Sequence, residues 1–194
     1  HKYVLGILLM FLGLGMARDA ISIFYPILTK PSYRRLFSLI DFTVVPLYAM
    51  FVFSLIYKKY LSFKRTAFNL LPFIFLPCLF IVWKSTLVFY CGLALPILYA
   101  IWAVPNIFLG IKKYSKAIVD NYSYQDNINA DWLKIVVGLL VINLIFSLDL
   151  CQYSSDWLYG IYYAYGLVIW TYISYKTVGM KCSEWPPEAG ASDI

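Results

Sequence analysis

The residue best placed to do chemistry in this chain is Asp41, a carboxylate inside the long apolar run 36–57. At 1.5 Å per helical residue it would lie roughly 10 Å inside a span that starts near residue 36. A carboxylate that deep costs about 2.5–3.5 kcal/mol on insertion scales, so it needs a partner or water. Val45 and Tyr48 follow at i+4 and i+7, which puts all three on one helix face, expected to point into a bundle. Two readings stand. The carboxylate is a ligand contact or a proton-linked switch, or it makes a structural hydrogen bond to Arg18, Arg34 or a tyrosine hydroxyl. Pro46 has no N–H for the carbonyl one turn earlier and predicts a kink beside the carboxylate. A kink there would serve as a signalling hinge, though kinks are also ordinary in membrane helices.

Arg18, Asp19, Lys84, Asp149, Gln152 and Asp156 fall on the same side of the membrane as Asp41 in the topology derived below. Together they would form a cup of mixed charge able to hold a small polar ligand. Alternatively they simply meet water, with Arg18 and Asp19 neutralising each other. The last apolar run is crowded with Tyr159, Tyr162, Tyr163, Tyr165, Tyr172 and Tyr175, beside Trp157 and Trp170. Tyr162, Tyr163 and Tyr165 lie deepest and surround the helix, so some must face the bundle and find acceptors. They predict either an aromatic cage for a ligand or a packed helix interface.

Other chemistries lack their residues. Cys78, Cys91, Cys151 and Cys182 form no CxxC pair and read as structural thiols. The only histidine is His1, so zinc and haem have almost no ligands to draw on. There is no glycine-rich phosphate loop, GxSxG or HExxH, and Gly13-Leu14-Gly15 lacks the third glycine of a dinucleotide fingerprint. Catalysis, a cofactor and a metal are not expected.

The elements that must position these residues follow from composition. The 194 residues are 62% hydrophobic and 13% charged, against roughly 45–50% and about 25% in soluble domains. No globular interior of this size hides so much apolar surface. Disorder, a disulfide scaffold and a nucleic-acid-binding domain fail on the same numbers. The expected fold is an all-α, polytopic transmembrane bundle of about six helices, with the lipid bilayer as its main partner. Runs 36–57, 67–83, 85–110, 132–148 and 157–175 each approach the roughly 20 residues that a bilayer requires. The first, 3–28, is interrupted by Arg18 and Asp19 and reads as a span short of a few N-terminal residues rather than a signal peptide.

The formal charge of +6 suits headgroup contact and topology better than nucleic acid. Lys2, Lys58, Lys59, Lys64, Arg65, Lys112, Lys113, Lys116, Lys134, Lys176 and Lys181 load one side of the membrane. Arg18, Lys30, Arg34, Arg35 and Lys84 sit on the other, so both termini are expected to be cytoplasmic. Residues 1–177 form the membrane domain, and 178–194 read as a cytoplasmic linker leading to a further domain. Gly13 and Ala17 give a small-xxx-small spacing compatible with a homodimer.

Two stretches carry a resemblance. One is Leu39-Ile40-Asp41-Phe42-Thr43-Val44-Val45-Pro46-Leu47-Tyr48. The other runs from Tyr114 through Asn121-Tyr122-Ser123-Tyr124 to Asp131-Trp132-Leu133. Over nearly its whole length the chain resembles the N-terminal membrane part of bacterial membrane-anchored helix-turn-helix regulators of the arabinose-regulator (AraC) type. Related membrane parts precede some sensor kinases. The resemblance implies sensing at the bacterial inner membrane and a DNA-binding domain on the cytoplasmic side. No helix-turn-helix lies within these residues, so the resemblance assigns DNA contact to none of them. It marks Asp41, Pro46 and residues 122–124 as positions matching its motifs and supplies no catalytic residue. The functional expectation is a sensory or anchoring domain of a transcriptional regulator or signalling protein. The alternatives are a small transporter or transporter subunit, and a purely structural anchor. The candidate ligand or switch residues are Asp41, Pro46, Tyr48, Arg18, Asp149, Asp156 and Tyr162.

Overall fold

The computed structural model describes residues 2–25, 30–57, 60–121, 131–152 and 156–179, and among them every element is an α-helix. These are α1 (Lys2–Phe24), α2 (Pro31–Asp41), α3 (Val44–Ile56), α4 (Phe63–Trp83), α5 (Thr86–Asn121), α6 (Asp131–Gln152) and α7 (Asp156–Gly179). Helices α2 and α3 belong to one apolar rod, Pro31–Ile56, so the seven segments make six rods.

That rod is interrupted where the lost donor of Pro46 predicted a kink. In a continuous α-helix the Phe42 carbonyl would wait for the N–H of residue 46, which proline lacks. Instead the Val45 N–H donates to Phe42 O at 3.1 Å, and the Thr43 N–H to Ile40 O at 3.0 Å. Both are i→i−3 bonds, so the chain tightens into a short 3₁₀ step at Phe42 and Thr43 before α3 begins. Pro46 itself lands in the first turn of α3, where an unused N–H costs nothing. Asp41 is the last residue of α2, at the edge of the step.

Helix α3 is apolar all round, and such a helix is stable only when enclosed. Met50, Phe51, Val52, Leu55 and Ile56 are almost fully buried, and α1, α4, α5 and α6 all contact α3. A second cluster joins Leu39 and Phe42 of the α2 rod to Phe73, Phe80, Phe89 and Leu93 on α4 and α5. Gly92 lets α5 pass close to α2, since a Cβ there would collide with the buried Leu39 side chain. Lys84 closes α4 in the left-handed conformation at φ 47°, and its N–H caps Phe80 O at 2.8 Å. The hairpin expected around Lys84 is therefore present.

Among the described residues, four rods are long and apolar enough to cross a membrane: Tyr3–Ile21, Pro31–Ile56, Phe63–Trp83 and Thr86–Lys116. The apolar part of α6, Trp132–Leu148, is shorter. Helix α7 is long, but its tyrosines dilute the apolar character that leucine or isoleucine would give. The outward faces suit lipid, with Phe68 on α4 and Leu87 and Leu98 on α5 strongly exposed. Several cations read as loop residues are helical: Lys64 and Arg65 open α4, and Lys112, Lys113 and Lys116 extend α5. Lysine and arginine are good helix formers, so they continue the helix of the neighbouring apolar run, past Gly110 in α5. Gly13 and Ala17 lie on the exposed face of α1.

Candidate functional site

The step at Asp41 faces the last third of α1, and Arg18 meets it there. Arg18 Nη1 donates to Asp41 Oδ1 at 2.8 Å and Nη2 to Asp41 Oδ2 at 2.9 Å, a two-pronged guanidinium–carboxylate pair. The same guanidinium donates from Nε and Nη2 to Asp19 Oδ1, at 2.8 and 2.6 Å. Its plane also covers the Phe37 ring, with Cζ 4.7 Å from the centroid. Tyr163 of α7 completes the constellation by donating its hydroxyl to Asp19 Oδ2 at 2.5 Å. Of the three partners the sequence offered for Asp41, Arg18 is thus the one in place. Pairing in this forked geometry offsets the desolvation that an isolated carboxylate would suffer.

Opposite the charges lies a neutral polar wall. Asn143 of α6 is buried and points Nδ2 toward the Tyr48 hydroxyl at 3.5 Å. Ser147, one turn later, donates to Asn143 O at 2.8 Å and lies 3.3 Å from the Tyr162 hydroxyl. The Tyr48 ring packs on Trp170, centroids 5.1 Å apart. Tyr165 turns away and donates to Leu139 O at 3.0 Å. The three deep tyrosines therefore divide. Tyr162 and Tyr163 face the charged site, and Tyr165 serves the α6–α7 interface.

Between the two walls is a cavity of about 90 Å³ lined by Arg18, Asp19, Asp41, Tyr48, Asn143, Ser147, Tyr162 and Tyr163, with apolar neighbours from α1 and α3. A water needs roughly 10–15 Å³ measured this way, so several waters or a small ligand group would fit. Asp41 keeps 46% of its side-chain surface open and lines the cavity. Counted from the ends of α1, α2, α6 and α7, the polar residues lie about 8–15 Å into the bundle. The cavity belongs to one end of the bundle, where antiparallel rods bring those ends together.

The structure brings four of the seven candidates, Asp41, Arg18, Tyr48 and Tyr162, to this one cavity. Pro46 is buried beside it and shapes the step without lining the wall. The side chains of Asp149, Gln152 and Asp156 lie outside the described residues, as do residues 122–124 and the segment 180–194. Lys84 is exposed at the α4–α5 turn and is no part of the lining. Sequence reasoning missed Asn143 and Ser147. The signal was present as two polar residues four apart in an otherwise apolar helix, hence on one face. Among the described residues no group of three or more His, Cys, Asp or Glu could hold a metal ion, and Cys78 and Cys91 are free thiols on the exposed faces of α4 and α5. Comparison of the chain with protein-family models, curated proteins and solved structures finds no match.

Proposed function

We propose that this chain is a membrane-embedded sensory domain of the bacterial inner membrane, with both termini cytoplasmic. A stimulus received in the charged cavity shifts helix packing and is relayed to an output domain beyond residue 194. The observation that carries this reading is the coincidence of three features at Asp41: the ion pair to α1, the open cavity and the 3₁₀ step in the central rod. A ligand that competes for the Arg18–Asp41 pair would change what holds α1 against the step. Only such a difference in free energy between two packings can drive a switch. The resemblance to membrane-anchored AraC-type regulators supports a transcriptional output.

A broken rod bearing a carboxylate also suits a transporter, where discontinuous helices build the substrate site. Against this, the next cavity along the bundle is apolar, so the polar lining does not continue past Tyr48. Reception is favoured over translocation.

The test uses the intact gene product in its own membrane. Asp41→Asn at normal membrane abundance is expected to change the transcripts under its control. An unchanged transcript profile would contradict the sensory reading, as would a stop codon directly after Ile194.

A further inference from the structure

The end of the bundle away from the charged cavity is basic. Segments 58–65 and 112–134 hold eight cations and three carboxylates, so the excess calls for an anionic partner. Lys64, Arg65, Lys112, Lys113, Lys116 and Lys134 are all exposed there. Asp19 and Asp41, the only carboxylates among the described side chains, line the cavity near the other end.

Helix lengths set these cations against a bilayer. The rod Thr86–Lys116 has 31 residues, about 45 Å, whereas a hydrocarbon core is roughly 30 Å thick. With Thr86 at one boundary, about 20 residues reach Asn106 at the other. Lys112, Lys113 and Lys116 then follow within the headgroup layer. Helix α4 agrees, because its 21 residues just span the core and start with Phe63, Lys64 and Arg65. The Tyr99 hydroxyl donates to Asn69 Oδ1 at 2.8 Å, which fixes the register and sets Lys64 level with Val104. Along α5, Trp102, Asn106, Leu109 and Lys113 share one exposed face. Asn106 gives one amide hydrogen to Trp102 O at 2.7 Å and has a second. At the same corner Arg65 covers the Tyr60 ring, 5.7 Å from its centroid. Tyr60 stacks on Phe53 at 4.8 Å, and Phe53 meets Trp102 at 6.4 Å. A line of rings thus ties a guanidinium at the boundary to an indole inside it.

We propose that this α3–α4–α5 corner binds an anionic phospholipid. Arg65, Lys112 and Lys113 meet the headgroup, Asn106 reaches the ester level, and the chains lie along Leu98, Trp102 and Leu109. Ring, amide and ammonium follow one another in the order of a phospholipid's chains, esters and phosphate. A zwitterionic headgroup would carry its own cation into an end already rich in them, so net negative charge is what the corner selects. The site goes beyond the sensory reading and does not depend on it.

Native mass spectrometry of the intact chain, released from micelles holding phosphatidylglycerol and phosphatidylcholine with identical chains, tests the proposal. Phosphatidylglycerol is expected to bind about tenfold more tightly. Lys112→Gln/Lys113→Gln should weaken it about tenfold and change phosphatidylcholine less than about twofold, which also shows that the variant is folded. Arg65→Gln should weaken it about fivefold. Lys134→Gln/Lys176→Gln removes two exposed cations of the same end from α6 and α7, and should leave phosphatidylglycerol within about twofold. Equal retention of the two lipids would overturn the proposal. So would unchanged binding in the α5 variant, or an equal loss in the α6–α7 variant, since a diffuse field would then replace the site.

Discussion

At the scale of single residues, one guanidinium shared by two carboxylates joins α1 to the end of α2. Removing Arg18 strands the Asp41 carboxylate among apolar helices, whereas removing Asp41 leaves the guanidinium on Asp19 alone. Arg18→Gln or Asp41→Asn should each cost about 1–3 kcal/mol, below the range for a fully enclosed pair because Asp41 borders open space. The double variant should cost less than the two together, a coupling of about 1 kcal/mol or more in detergent unfolding. Additive losses would mean that the pair is not formed. Much of this was legible in the sequence, because a lone charge in an apolar run demands a partner and Arg18 is one of few on offer. Asn143 and Ser147 were marked only by their spacing of four on one face of α6, a weak signal because neutral polar side chains cost little in a span and do not announce a neighbour. Nor could Tyr163 be told from Tyr162: adjacent residues point to different sides of a helix, and only the bundle decides which sides are inside.

At the scale of elements, backbone chemistry at three points decides how the rods meet. Pro46 forces the step, so Pro46→Ala should restore the i→i−4 bond to Phe42 O and straighten the rod. Amide exchange at Val45, whose N–H is present in both proteins, would report the change, with slower exchange expected in the variant than in the wild type. Lys84 holds a left-handed conformation that glycine adopts without strain, so Lys84→Gly should stabilise the hairpin by about 1 kcal/mol. Gly92→Ala should instead destabilise, by about 1–2 kcal/mol net of the helix propensity it gains, because Leu39 is enclosed and cannot easily retreat. Both are read as shifts in thermal unfolding midpoint. The break in the hydrogen-bond ladder beside Asp41 was foreseeable from the missing donor alone. The close approach at Gly92 was not, because it belongs to a contact between helices far apart in the chain.

At the scale of the whole molecule, hydropathy fixed the class and left the tertiary arrangement open. Composition required lipid, and four rods meet the length and apolar content to cross it. That α3 would be the enclosed centre follows from its lack of any polar face. That the tyrosine-rich α7 would turn one hydroxyl toward a carboxylate on α1 and another toward Ser147 on α6 does not follow from any run of residues. A charged cavity lies near one end of the membrane-spanning bundle, with a separate apolar crevice beyond Tyr48. The most direct test is one-sided thiol labelling: Asp41→Cys, with Cys78, Cys91, Cys151 and Cys182 replaced by serine, is exposed in sealed membranes to a membrane-impermeant cationic methanethiosulfonate from either side. Modification from one side only is the predicted result. Modification from both sides, or from neither, would contradict it.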